Sequence, residues 1–152
     1  MRTAIKTWTQ AVGVVGVVFL VSAAAAVKTS AQAPAGAGSS VGGVYTEDQA
    51  KRGEAVSNKF CTSCHGPELS GGEAGPTLVG LEFLGNWNNL TVGDFYDRVH
   101  STMPADAPGT LTPQQTSDVM AYVFKLNKFP AGTSELPTDL AALKGIKIEQ
   151  PK

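Results

Sequence analysis

The chain has 152 residues, 12 Lys and Arg against 13 Asp and Glu, a formal charge of −1 and 42% hydrophobic residues. That balance excludes a polyelectrolyte chain and matches one globular domain of ordinary composition. Thiol and imidazole chemistry is confined to Cys61, Cys64, His65 and His100.

Residues 1–33 read as a signal peptide: Arg2 and Lys6 precede an apolar run that carries no charge until Lys28, and small residues close it. The favoured cut follows Ala31-Gln32-Ala33, and the run Ala23 to Ala26 is a second possible site. The uncharged stretch from Thr7 to Val27 is 21 residues, long enough to span a bilayer, so an uncleaved anchor is the alternative. Loss of residues 1–33 removes Arg2, Lys6 and Lys28 and moves the charge from −1 to −4. A mildly acidic mature chain speaks against nucleic acid or an anionic membrane surface as its main partner, because both call for basic patches. Residues 34–44, PAGAGSSVGGV, have the composition of a flexible linker.

Three helices follow from capping and periodicity. Thr46 with Gln49 reads as a capping box, and Ala50, Gly53, Val56 and Phe60 recur at helical spacing, which predicts a helix over 47–60. Thr91 with Asp94, followed by Val92, Phe95 and Val99, predicts a second over 92–101, ended before Pro104. Thr112, Pro113 and Gln115 open a third over 113–127, whose apolar stripe is Val119, Tyr122, Val123 and Leu126. Only Ile146–Ile148 alternates as a strand would. The fold class is all-α, with one domain at 45–132 and a C-terminal extension at 133–152.

Between the first two helices stands CTSCH, Cys61 to His65. C-x-x-C-H is the spacing at which two thiols bond the two vinyl groups of a haem and the next imidazole reaches the iron. Zinc would want four ligands where the chain offers Cys61, Cys64, His65 and a distant His100. A redox dithiol would sit at a helix start after a buried strand, and these cysteines follow a helix. Three short helices bury a thin core, and a haem supplies the missing apolar volume. For the sixth iron position Met120 belongs to the buried stripe of its helix, and His100 is in register with Tyr96 and points to solvent. Met103 lies just past a helix end, in STMP, where a loop can aim its thioether.

Gly53 and Phe60 ahead of CTSCHG, GPTLVG at Gly75 to Gly80, Met103-Pro104 and DVMAYVFKL at Asp118 to Leu126 together resemble the class I c-type cytochromes, over about residues 45–130. The resemblance implies a bundle of three to four short helices around one covalently bound haem c. Cys61 and Cys64 would carry the thioethers, and His65 and Met103 would be the axial ligands. The Pro76 carbonyl would accept the other ring N–H of His65, Leu78 would line the pocket, and Gly53 would face Tyr122 where the first and last helices cross. More narrowly, CHGPELSGG, GLEFLGNWNNLTVGDF, MPADAPGTLT and NKFPAG are similar to single-haem cytochromes and cytochrome domains found with periplasmic dehydrogenases. There a tryptophan near Trp87 often contacts a haem propionate; plain core is the other reading.

An iron held by imidazole and thioether has no open position, so the expected function is periplasmic one-electron transfer, not catalysis. Electrons would pass between a dehydrogenase or respiratory complex and a terminal acceptor, by way of redox protein partners. The alternatives are a dedicated haem subunit of a dehydrogenase or oxidase, and a ligand-binding or sensory haem protein with a labile sixth ligand. The exposed haem edge would be rimmed by uncharged or acidic residues near Cys61 to Glu73 and Ala105 to Pro108. Leu140, Leu143, Ile146 and Ile148 either pack the extension onto the body or present it to a partner.

Overall fold

The computed structural model describes residues 38–152. The leader, its cut sites, the Thr7–Val27 run and residues 34–37 of the expected linker lie outside them. Among the described residues no helix is long and apolar enough to cross a membrane. They fall within one compact unit.

All three expected helices are present. Helix α1 is Glu47–Phe60, α4 is Val92–Thr102 and α5 is Pro113–Leu126. The capping boxes at Thr91/Asp94 and Thr112/Gln115 are complete, with side chain and backbone bonded in both directions. At α1 only half the box forms: Thr46 Oγ1 accepts from the Gln49 N–H at 3.1 Å. The Gln49 carboxamide is engaged elsewhere, accepting from Leu136 N at 2.7 Å and donating to Leu136 O at 3.0 Å. The C-terminus of α5 closes with Lys128 at φ 63, Lys128 N–H donating to Lys125 O and Phe129 N–H to Phe124 O. Phe129 then packs on Phe124, with ring centroids 5.0 Å apart. This is the Schellman closure with lysine in the position glycine usually takes.

Three further helices exceed the three to four expected: α2 at Thr62–His65, α3 at Gly80–Trp87 and α6 at Leu140–Lys144. Helix α3 begins after Val79 with no side-chain cap and with Gly80 at φ 71, so it lacks the local signals that announce the others.

Helices α1 and α5 make the largest contact in the fold. A Cβ on Gly53 would collide with the Asp118 carbonyl and lie 3.0 Å from the Tyr122 Cβ, so the crossing is as close as glycine permits. Beside it, Arg52 donates to both Asp118 carboxylate oxygens at 3.0 and 3.1 Å and to both oxygens of Glu135 at 2.7 and 2.9 Å. Across the core, Phe95 of α4 packs against Phe83, Trp87 and Phe124 at 5.4, 4.6 and 6.3 Å. Met120 is fully buried on α5, as packing.

The extension resolves in favour of packing. Leu136, Leu143, Ile146 and Ile148 are buried in the same core as α1, α4 and α5, and Leu140 packs against it. Ser117 Oγ donates to Pro137 O at 2.8 Å, Asp139 caps α6, and Ile148 exchanges backbone bonds of 2.8 Å with Asn89 and Leu90. Strand β2, Ile146–Lys147, pairs in parallel with β1, Gly38–Ser39. The linker reading is therefore corrected for residues 38–44. Ser40 is buried and accepts from Glu149 N at 3.0 Å, and Tyr45 donates its hydroxyl to Phe129 O at 2.8 Å. Composition marked this stretch as a tether, but its partner lies more than a hundred residues away.

Burial, and to a smaller degree Glu47, pushes the Tyr45 phenol from 10.0 up to about 12. A folded-state value above the unfolded one makes this contribution complete below pH 10 and lost as pH rises toward 12. Melting temperatures across that range are expected to fall more steeply for the native chain than for Tyr45→Phe.

Candidate functional site

CTSCH is shaped by the end of α1. Cys61 closes that helix, its N–H donating to Ser57 O at 2.8 Å, and its carbonyl then accepts from Cys64 N at 3.1 Å and His65 N at 2.9 Å. One turn of α2 thus sets both thiols and the imidazole on adjacent backbone. Both cysteines are free and half-buried, and His65 is buried. Burial raises the Cys61 thiol above its ordinary range, with Ser57 opposing, so a ready thiolate of the kind a redox dithiol uses is disfavoured there.

The loop after α2 returns to the imidazole. Pro76 O lies 2.7 Å from His65 Nδ1, which makes Nδ1 the protonated donor and leaves the lone pair of Nε2 free. Its close approach needs Gly75, where a Cβ would stand 2.9 Å from Nδ1 and 3.0 Å from Cε1 of His65. The loop is stitched by Leu78 N–H to Leu69 O at 2.8 Å and by Thr77 Oγ1 to Leu69 O at 3.3 Å, around a fully buried Leu69.

Facing this loop, α4 stops at Met103, whose N–H still donates to Val99 O at 3.0 Å while its backbone turns extended, at φ −119 and ψ 151. His65 and Met103 line the same cleft, about 470 Å³ in volume, together with Pro76, Leu78, Phe83, Trp87, Phe95 and Val99. An adjoining recess of about 120 Å³ shares both residues and adds Cys61, Cys64, Leu111, Val119 and Val123. The seven residues expected at the site, Cys61, Cys64, His65, Pro76, Leu78, Trp87 and Met103, all line one part or the other. The donor set and apolar walls fit a haem, and the volume is in the usual range of cofactor sites, about 300–1,000 Å³.

Trp87 is half-buried against Phe95 and is also a wall of the cleft. Asn86 and Arg98, which sequence reasoning did not select, give the cleft a polar, cationic edge. Arg98 directly precedes Val99 on the inner stripe of α4, and that adjacency was its available signal. His100 is corrected. It is half-buried, stacked on Tyr96 at 5.4 Å, with Nδ1 3.1 Å from Thr116 Oγ1 on α5. The buried arc of α4 is broad enough to include Tyr96 as well as Phe95, so the Tyr96 register does not lead to solvent.

An all-α domain with a C-x-x-C-H turn opening onto a cleft walled by histidine and methionine has the architecture of a c-type cytochrome. The family model described as cytochrome C oxidase, cbb3-type, subunit III matches residues 48–123, half of the chain, and the chain belongs to that family of cytochrome c domains. Its members carry covalently bound c-type haem and transfer electrons, so the chain is an electron-transfer protein or subunit and not itself a catalyst. Among solved structures, the sulfane dehydrogenase SoxCD from Paracoccus pantotrophus is similar at 26% identity and a TM-score of 0.43. The match covers 53% of this chain and 44% of that one, so the chain spans less than half of that protein's length. No curated protein matches.

Proposed function

We propose that this chain is an exported, periplasmic one-electron carrier with a single haem c, joined through Cys61 and Cys64 and ligated by His65 and Met103. The observation that carries the reading is that His65 and Met103 share one apolar cleft while Pro76 O engages His65 Nδ1 at 2.7 Å. When bound, haem supplies a ferric/ferrous couple that changes by one electron. The protein's part is to hold the ligands and to keep water out. Pro76 fixes the imidazole and raises its basicity, Phe83, Phe95 and Val99 dry the cleft, and Arg98 and Trp87, which line it, would offer donors to the haem carboxylates. Thioether ligation and an apolar surround favour the reduced state, so the couple is expected to be positive compared with a bis-histidine haem.

The mouth of the recess beside the cysteines is formed by Phe60, Ser63, Ala74, Pro104, Ala105 and Asp106, with Lys59 Nζ 4.8 Å from the Phe60 ring centroid. One charge of each sign on a small apolar rim supports brief docking with weak salt dependence. The family's description as an oxidase subunit favours a second reading, a dedicated subunit of a larger complex. Size-exclusion of the native protein with its membrane fraction separates them, since a carrier elutes alone.

The test of ligation is the absorption spectrum of the oxidised protein. The weak long-wavelength band of methionine-bound ferric haem is expected in the native chain and absent in Met103→Ala, whose reduction potential should also fall. A high-spin oxidised spectrum of the native chain would sink the carrier reading and favour a ligand-binding haem.

A further inference from the structure

Asn127 ends α5 and is 6% exposed, yet its side chain is not spent on its own helix alone. Oδ1 accepts from Gly80 N–H at 2.8 Å, and Nδ2 donates to Leu78 O at 2.9 Å and to Val123 O at 2.9 Å. The carboxamide therefore pairs with the backbone on both sides of Val79, as a neighbouring strand would. Leu78 is already bonded through its N–H to Leu69 O at 2.8 Å, so the segment is held from both flanks. Two residues upstream is Pro76, whose ring is exposed and is not itself held by burial. Upstream, Gly75 O accepts from Gly72 N–H at 3.0 Å, so the Pro76 carbonyl is placed by the backbone on both sides, and the downstream half of that anchorage is the one Asn127 holds.

We infer that Asn127 is a positioning residue for the haem ligand: by clamping Leu78 and Gly80 to the end of α5, it sets where the Pro76 carbonyl meets His65 Nδ1, and so tunes the reduction potential. The inference rests on His65 being an iron ligand, as proposed above. A strong Nδ1–H to carbonyl bond gives the imidazole more anionic character and stabilises ferric iron. Slack in the loop weakens that bond and raises the potential.

Asn127→Leu keeps the size and removes all three side-chain bonds. The expected result is a normal methionine-ligated spectrum with a potential raised by on the order of a tenfold change in the ferric/ferrous ratio, about 59 mV. In the reduced protein the His65 Nδ1–H proton resonance should move upfield and exchange faster with solvent. Asn127→Asp supplies the rescue: its carboxyl, when protonated, accepts from Gly80 N–H and donates to Leu78 O, and burial raises its pKa. In that acid form the potential and the His65 resonance should match the native chain at the same pH, and both should depart from it on ionisation. If Asn127→Leu does not fold, the Asn127→Asp titration decides by the His65 resonance alone. The inference is overturned by an Asn127→Leu protein with native potential and resonance, by an acid-form Asn127→Asp as displaced as the leucine variant, or by a resonance unmoved by its ionisation. A native chain whose His65 ring protons lack the haem ring-current shift of an iron-bound imidazole overturns the His65 ligation reading instead, and is told apart because it needs no substitution.

Discussion

Ending the chain after Gly132 is expected to abolish cooperative unfolding, not to trim a dispensable tail. The cut removes Leu136, Leu143, Ile146 and Ile148, each at most 3% exposed. Burying a side chain of this kind contributes about 1.5–3 kcal/mol, an upper estimate for a compact unfolded chain. Four of them reach roughly 6–12 kcal/mol, which is the size of a whole domain's net stability, about 5–15 kcal/mol. The same cut strips Gln49 of both its Leu136 partners inside the core and takes Glu135 from Arg52. Circular dichroism melts of the haem-loaded chain check this. A truncated protein that melts cooperatively within a few degrees of the full chain would show the tail to be an appendage. Ile148→Ala is the milder form, expected to cost about 2–5 kcal/mol while leaving a folded protein.

Gly53→Ala is expected to destabilise, against the usual sign of that substitution. In an exposed helix alanine is favoured over glycine by about 1 kcal/mol. Here the new methyl group meets the Asp118 carbonyl, a backbone atom that cannot rotate away, and then Tyr122 Cβ at 3.0 Å. Relief requires α1 and α5 to separate at the largest contact in the fold, which also stretches the bidentate Arg52–Asp118 pair. Overpacking of this kind costs about 1–3 kcal/mol, enough to outweigh the helix gain. Denaturant unfolding of the two proteins gives the sign, and Gly53→Val should go further in the same direction. An unchanged or raised midpoint for Gly53→Ala would mean that the crossing is looser than its geometry states.

Electron transfer depends on both results, because α1 carries the cysteines into the site and α5 anchors the loop that supports His65. A chain that loses the α1–α5 crossing loses the frame on which Cys61, His65 and Pro76 are arranged. Effects on the haem spectrum should therefore accompany the loss of stability in Gly53→Val, and be absent from Tyr45→Phe, whose hydroxyl bonds Phe129 O.

By itself the sequence determined whatever depends on a few neighbouring residues. The capping residues Thr46, Thr91 and Thr112 placed three helix starts to the residue, and the spacing of CTSCH located the turn from which His65 enters the cleft. The resemblance to class I cytochromes added the Pro76 bond and the Gly53–Tyr122 crossing, and both contacts are present. Tertiary structure decided what is paired across long separations. Gln49 reads locally as half of a capping box, yet a backbone 87 residues away takes its carboxamide. PAGAGSSVGGV reads as tether, yet Gly38 and Ser39 have a partner strand in Ile146–Lys147. His100 reads as exposed until Thr116 is brought beneath it, and Asn127 reads as an ordinary helix end until Leu78 and Gly80 arrive beside it. Local signals are written in the energy of one turn of chain, whereas these residues are given their roles by burial and hydrogen bonding that exist only once the core has closed.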